Sequence, residues 1–456
     1  MANFLITSPN SQTTGTDAAD LFLLNTALGN TVFGGGGADT ISASVSTNFV
    51  NANLQGGNGN DTINVDGGGQ AAQANFLLGN GSDLATFGSL IANTTTVVGG
   101  GGADTINLSA VSFSQSVING NAGADLISAS AATISGRSLI AGGGDNDVIN
   151  LQSNLVFEAS TINGGGGNDS ITISAGIISA ARIEGDLAGD TQFFGNDTIT
   201  LSNVTASTIN GGGGRDVIRL GTVGTGVRAE GNADNDFISV SNTVVSAATF
   251  LGGGAGNDTI VITAFLQNHF GTIQGGGGND LISVSGAGAS GGFILGGADA
   301  DVIGLGSIAG QAPPSAGVNL AYASFSESNL AAYDVVSASN TDSAASTNSY
   351  TVVQSAVNFS VGAFERGGVV SGNNAGVATF TATFDNSLTA RVTELDAATV
   401  SGQAVLFRNG AGTQFLFVQA GAAGGGAAGD LVVELNGSTA VELFATTNSA
   451  LKVSLG

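Results

Sequence analysis

Gly99-Gly100-Gly101-Gly102-Ala103-Asp104-Thr105-Ile106-Asn107 reads G-G-x-G-x-D-x-U-x, with Ile at the apolar position U. The pattern returns along most of the chain. Its copies end at Asp20, Asp39, Asp61, Asp83, Asp104, Asp125, Asp147, Asp169, Asp197, Asp216, Asp236, Asp258, Asp280 and Asp301, which follow one another at 19 to 28 residues, most often 21 or 22. A fixed period of that size marks a solenoid, in which each coil covers the apolar edge of the next.

Two residues after nearly every aspartate stands Ile: Ile41, Ile63, Ile106, Ile127, Ile149, Ile171, Ile199, Ile218, Ile238, Ile260, Ile282 and Ile303. A strand alternates its faces, so these residues predict an inward stack, with the residue between each Asp and Ile facing out. A second apolar position is read just before the glycines, at Phe33, Leu54, Val98, Ile118, Ile162, Ile209 and Ile273. Each coil is therefore expected to hold two short strands separated by a glycine turn. The outward set includes Leu84, Leu126, Val148, Val217, Phe237, Leu281 and Val302, alternating with Thr40, Thr62, Thr105 and Thr259. An apolar outer stripe marks an interaction surface, although strand propensity alone also favours Val and Thr there.

The repeat resembles the calcium-binding nonapeptide of RTX proteins. That resemblance implies a parallel β-roll with Ca²⁺ in its turns, and type I export to the cell exterior under an uncleaved C-terminal signal. Calcium takes six to eight hard oxygen ligands and accepts backbone carbonyls among them, and glycine lets a carbonyl turn toward an ion without a Cβ in the way. The ligands implied are the carboxylates of Asp39, Asp61, Asp83, Asp104, Asp125, Asp147, Asp169, Asp197, Asp216, Asp236, Asp258, Asp280 and Asp301, with Gly34, Gly36, Gly56, Gly99, Gly101, Gly164, Gly166, Gly211, Gly213, Gly275 and Gly277. Loops ending at Asp39, Asp61, Asp104, Asp169, Asp216, Asp258 and Asp280 match fully, and those at Asp83 and Asp125 lack one glycine each. Asp145, Asp234 and Asp299 replace the third glycine in theirs, where a residue with a Cβ is strained if the turn needs positive φ. The RTX roll spends 18 residues per coil with a nonapeptide on both sides. Here one half-coil carries Gly and Asp, while the other, as in Leu108 to Ile118, is rich in Ser, Ala and Val. One edge is expected to hold calcium and the opposite edge to pack by small side chains.

The chain carries 34 acidic residues against 9 basic ones, a formal charge of −25. Nucleic acid and anionic membrane surfaces would be repelled. Fourteen loops leave 13 gaps, and one Ca²⁺ in each would set 26 positive charges, two per ion, against the −25. Cysteine is absent, which removes disulfides and thiolate metal sites. Met1 to Pro9 has no basic segment followed by a long apolar one, so no cleaved signal peptide is read. No apolar run is long enough to span a bilayer, and no membrane insertion is expected. The expected location is extracellular or on the cell surface.

Three regions are expected: residues 1–28, a cap or assembly segment with a degraded first repeat; residues 29–310, the solenoid; and residues 311–456, a smaller β-rich domain that begins at Pro313-Pro314, because adjacent prolines cannot continue a ladder. Val377 to Phe384 and Leu431 to Leu435 alternate as antiparallel strands do. The last stretch, Val405 to Val418 and Gly429 to Gly437, resembles the C-terminal region of type I-exported RTX and surface-layer proteins, which implies a secretion region. The widest spacing, before Asp197, carries an insertion with Phe193 and Phe194, either displayed or folded over the roll.

His269 is the one histidine, so a catalytic triad has a single possible base and a zinc protease motif cannot be written. It is read as a turn residue, and no enzyme is expected. The fold class expected is all-β, a parallel solenoid of about 14 coils with a smaller β-rich C-terminal domain. The leading function is a secreted calcium-binding structural protein that assembles with copies of itself into a surface layer or filament. An adhesin or carbohydrate-binding protein contacting cell-surface polysaccharide is the alternative, weakened by three Tyr and no Trp. Ice binding would want regular Thr ranks, which Leu, Val and Phe interrupt.

Overall fold

The computed structural model describes residues 2–43, 48–66, 69–109, 111–130, 132–152, 155–174, 176–186, 194–244, 248–263, 265–266, 271–285, 292–306, 318–321, 328, 331–339, 349–353, 363–366, 369–373, 376–381, 384–421, 424, 429–436, 440–447 and 450–455. His269, Phe193, Tyr322 and the Pro313-Pro314 pair lie outside them. The fold class is an all-β parallel solenoid of about 12 turns, 61% strand and 4% helix, near the 14 coils expected, and a smaller β-rich part lies toward the C-terminus. Two compact units divide the chain: residues 1–221 with 227–231, and residues 222–226 with 232–456.

In the first unit, one coil runs through Thr96–Gly101, Thr105–Ser109 and Ser112–Ser114. Each strand pairs in parallel with its counterpart in the next coil, so that Thr96 faces Val117, Ile106 faces Ile127 and Phe113 faces Ile134. Parallel pairing without crossover helices is possible because each coil returns to its start and stacks on the last. Each Ile two residues past an aspartate is buried, as the period predicts, with Phe22 and Ala85 in its place after Asp20 and Asp83, and Leu108, Ala129, Leu151 and Ile173 fill the next inward position. Each such Ile stabilises the stack by about 1.5–3 kcal/mol.

Two expectations are corrected. The inward residue before the glycines is Val32, not Phe33, and Val97, not Val98: Val32 pairs with Leu54 and Val97 with Ile118. Phe33 and Val98 are half-exposed. In all these strands the inward side chain stands two residues before the first glycine, and a one-residue step along a strand changes its face. Coils also hold three strands rather than two. Ser112–Ser114, Thr133–Ser135 and Leu155–Glu158 form a third row, with Phe113, Ile134 and Phe157 fully buried. The edge opposite the aspartates thus packs on large apolar side chains as well as small ones.

The second unit opens with the same parallel grammar. Phe250–Ala255, Thr272–Gly277 and Phe293–Ala298 form one row, and Phe237–Val240, Thr259–Ile262, Leu281–Ser285 and Val302–Gly306 another. The ladder runs on beyond the proline pair: Val318–Ala321 pairs in parallel with Phe293–Ala298, and Asp334–Ser339 with Val302–Gly306. Leu431–Asn436 then adds to Asp334–Ser339 in parallel and carries the antiparallel strands Gln414–Val418 and Ala404–Arg408. Val405, Phe407, Phe415, Phe417 and Val432 pack there against Val392 and Leu395 of a helix, Leu388–Ala398, that strand alternation did not foretell. Ser387 caps that helix by accepting the Ala390 amide at 3.2 Å. Among the described residues of the stretch from Val377 to Phe384, Ala378–Phe380 is strand, paired with Val370–Gly372. Among the described residues no helix is long and apolar enough to cross a membrane.

Candidate metal centre

Every aspartate of the repeat from Asp39 to Asp301 is buried, at the start of the strand that carries the inward Ile. In the first unit the backbone N–H of each donates to Oδ1 of the aspartate one coil later, from Asp20 to Asp39 at 2.7 Å, Asp61 to Asp83 at 2.6 Å, Asp104 to Asp125 at 2.7 Å and onward to Asp197 and Asp216 at 2.8 Å. The second unit repeats the ladder from Asp236 to Asp258 at 2.7 Å, then to Asp280 and to Asp301 at 2.8 Å. It gains a member there, because Asp301 donates to Asp334 at 3.1 Å. Asp334 escapes a reading based on glycines, since none precede it, although Asp334-Val335-Val336 keeps the acid and the buried residue two places on.

One oxygen of each carboxylate is thus spent on the ladder. The other, Oδ2 of Asp39, Asp61, Asp83, Asp104, Asp125, Asp147, Asp169, Asp197, Asp258 and Asp280, is buried and accepts no hydrogen bond. A bare buried acceptor is costly, and a bare buried charge more so. Burial first, and then the neighbouring aspartates, push these carboxyls up, against the opposing pull of the ladder N–H: to about 6 at Asp39, Asp61, Asp83, Asp104 and Asp125, about 7 at Asp147, Asp169 and Asp280, and about 8 at Asp197. Asp20 differs in kind. Its Oδ1 accepts the Ala2 amide at 2.6 Å and its Oδ2 the Thr16 amide at 2.7 Å, and these bonds hold its carboxyl below the usual range.

The glycines fall into two groups. A Cβ on Gly34, Gly56, Gly99, Gly164, Gly211 or Gly275 would lie 2.2–2.5 Å from Oδ2 of its own coil's aspartate. At Gly99 it would also meet the Gly120 carbonyl of the next coil at 2.6 Å, so the missing side chain is what lets a carboxylate oxygen and a carbonyl oxygen converge. Gly36, Gly101, Gly166, Gly213 and Gly277 instead close their strands. A Cβ on Gly277 would touch nothing, and the carbonyls of Gly101 and Gly277 accept the Gly81 and Gly256 amides at 2.7 Å. Gly100 requires its freedom: φ is +120°, and a Cβ would sit 1.8 Å from the Gly79 carbonyl. Asp145, Asp234 and Asp299 do take positive φ, between 71 and 79°, the strained backbone expected of them.

Two further ladders frame the row. Outside it, Asn60, Asn146, Asn168, Asn196, Asn235, Asn257 and Asn279 each accept the backbone amide at the equivalent place in the next coil, at 2.6–3.0 Å. On the opposite edge of the first unit, the amides of Thr95, Ser116 and Ser138 donate to the hydroxyls of Ser116, Ser138 and Ser160 at 3.1–3.2 Å. That edge holds hydroxyls where a second ion row would need carboxylates. At the insertion, Asp186 accepts the Gly195 and Gly213 amides at 3.2 and 2.8 Å, while Phe194 is exposed and lays its ring over Gly213.

The donor set suits a hard cation. Among the described residues no three acidic, His or Cys side chains gather at one point, so each carboxylate must be completed by backbone carbonyls, which the glycine turns supply. A soft or redox metal would want thiolate or imidazole. The molecule is thus a metal-stapled β-solenoid of the oxygen-ligand kind.

Comparison with known proteins names the repeat. The model of the RTX calcium-binding nonapeptide repeat matches residues 26–55, 94–110, 159–176, 206–222 and 272–286. The chain carries RTX repeats, and the cation is Ca²⁺. Among solved structures, it is similar to a hyperactive, Ca²⁺-dependent, β-helical antifreeze protein from an Antarctic bacterium, at 18% identity and a TM-score of 0.38, over 70% of this chain and 83% of that one. No curated protein matches. RTX repeat proteins are typically secreted and extracellular.

Proposed function

We propose that this chain is a secreted structural protein whose coils are locked by a row of Ca²⁺ and which assembles with copies of itself into a surface layer or extracellular filament. The ligands are the carboxylates of Asp39, Asp61, Asp83, Asp104, Asp125, Asp147, Asp169, Asp197, Asp216, Asp236, Asp258, Asp280 and Asp301, extended by Asp334, together with carbonyls of the glycine turns. The observation that carries this reading is the ladder itself, in which an aspartate such as Asp125 binds the preceding coil with one oxygen and keeps the other buried and bare. Ionised carboxylates stacked about 4.8 Å apart repel, and a divalent cation between coils turns that repulsion into attraction.

Assembly is supported by what the same strands show to solvent. Leu84, Leu126 and Val148 in the first unit, and Leu281 and Val302 in the second, are exposed at the outward position beside each aspartate. Calcium in the row would cancel most of the −25 charge that keeps copies apart. Electron microscopy and light scattering of the purified chain, with calcium and with chelator, test this. Ordered polymers in calcium alone are expected. A protein that stays monomeric at high concentration in millimolar calcium would overturn the assembly reading in favour of an adhesin.

A further inference from the structure

Asp430 lies outside the repeat and obeys its rule. It precedes the strand Leu431–Asn436, its Oδ1 accepts a backbone amide from a neighbouring segment, Ala420 at 2.8 Å, and Val432 two residues on is buried. Asp430 is 1% exposed and its Oδ2 accepts no hydrogen bond, the condition of the aspartates in the row. A second buried carboxylate stands beside it. Asp396, in the last turn of the helix, accepts Gln419 Nε2 at 2.8 Å, so consecutive residues 419 and 420 hold the two acids. Thr399 donates to Gln419 Oε1 at 2.9 Å, which fixes the amide with its NH₂ toward Asp396. The arginines with described partners in this unit are engaged elsewhere: Arg366 with Glu394, Arg391 with Asn386 and the Arg408 carbonyl, and Arg408 with the Gly412 carbonyl.

We propose that Asp396 and Asp430 hold one divalent cation of calcium's class, a site separate from the repeat row that ties the helix to the sheet of the C-terminal part. A hard oxygen-seeking cation suits a pair of buried carboxylates, one of them with a bare oxygen. Burial first, and then the charge of Asp396, push the Asp430 carboxyl up to about 6, the condition of the aspartates in the row. The competing occupant is a proton shared between the acids.

Hydrogen exchange of the full chain at pH 7.5, in calcium and in chelator, separates these for the wild type, Asp430→Asn and Asp396→Asn. Calcium at ten times its dissociation constant should slow exchange over residues 414–421 and 430–436 of the wild type by about tenfold. Asp430→Asn keeps the acceptor for Ala420 and removes the charge. It should abolish the calcium effect there while leaving it in residues 96–130, and in chelator it should exchange more slowly than the wild type over 414–436. If Asp430→Asn does not fold, Asp396→Asn gives the same contrast. Calcium protection over 414–436 that is unchanged in the variants, or absent in the wild type, overturns the proposal, as does a gain from Asp430→Asn that is the same with and without calcium, the mark of a shared proton. A failure of the repeat row would appear instead as calcium-insensitive exchange in residues 96–130.

Discussion

Asp104→Asn separates the two roles of a row carboxylate. The substitution keeps an Oδ1 to accept the Asp83 amide, now 2.8 Å away, and leaves its own N–H on Asp125. It removes the charge. Neighbouring carboxylates one coil apart, about 4.8 Å, repel by about 3 kcal/mol per pair at an effective dielectric near 20, and Asp104 has such a neighbour on each side. Against this, turning a charge-assisted bond into a neutral one costs about 1 kcal/mol. Without calcium, at pH 7.5, the variant should therefore be more stable than the wild type by at least about 2 kcal/mol, a rise in Tm of roughly 4–8 °C for a unit of this size. In millimolar calcium the sign should reverse, because the two ion positions flanking coil 104 each lose a carboxylate. Thermal melts followed by circular dichroism, with chelator and with calcium, read both. A variant that is destabilised equally in the two conditions would show that Asp104 is a turn cap and refute the reasoning.

The pH dependence should also change sign with calcium. Row carboxyls with folded values of about 6 to 8 bind more protons folded than unfolded, so in chelator Tm should rise as pH falls from 8 toward 4, whereas in calcium the gain over chelator should shrink below pH 6 as protons displace the ion. A chelated protein that melts lower as pH falls would contradict this. Gly143→Ala, at φ +127° with a Cβ 1.9 Å from the Asn121 carbonyl, should cost about 3 kcal/mol or more, while Gly277→Ala, which meets nothing, should stay within about 0.5 kcal/mol; equal losses in urea melts would refute the distinction. Leu126→Lys, at an exposed outward position, should suppress calcium-dependent polymers seen by light scattering and leave the calcium-dependent Tm unchanged.

The period of Asp and Ile was legible because one side chain per coil repeats the same two demands, an acid at the turn and a branched apolar residue inside. Where two apolar residues adjoin, as in Val32-Phe33 and Val97-Val98, composition cannot say which faces inward, and the distance to the glycine decides. The third strand is short enough that Ser112-Phe113-Ser114 passes for a polar edge. Asp334 lacks the glycines that announce its relatives, and its place in the ladder follows from pairing alone. The asparagine and serine ladders left a trace in the chain, Asn before half of the repeat aspartates and hydroxyls that return at the coil period in Ser116, Ser138 and Ser160, but their bonds run between coils. The helix Leu388–Ala398 was missed in a region read as strands, although Leu388, Val392 and Leu395, spaced to share one face, and Ser387 before them carried its signal.

A calcium titration of the chelated wild-type chain at pH 7.5, followed by far-ultraviolet circular dichroism and Tm together, addresses the row most directly. Strand signal and Tm should both rise with calcium and saturate in the range of extracellular sites, at about 10⁻⁴–10⁻³ M. A chelated protein with the same spectrum and the same Tm as in calcium would contradict it.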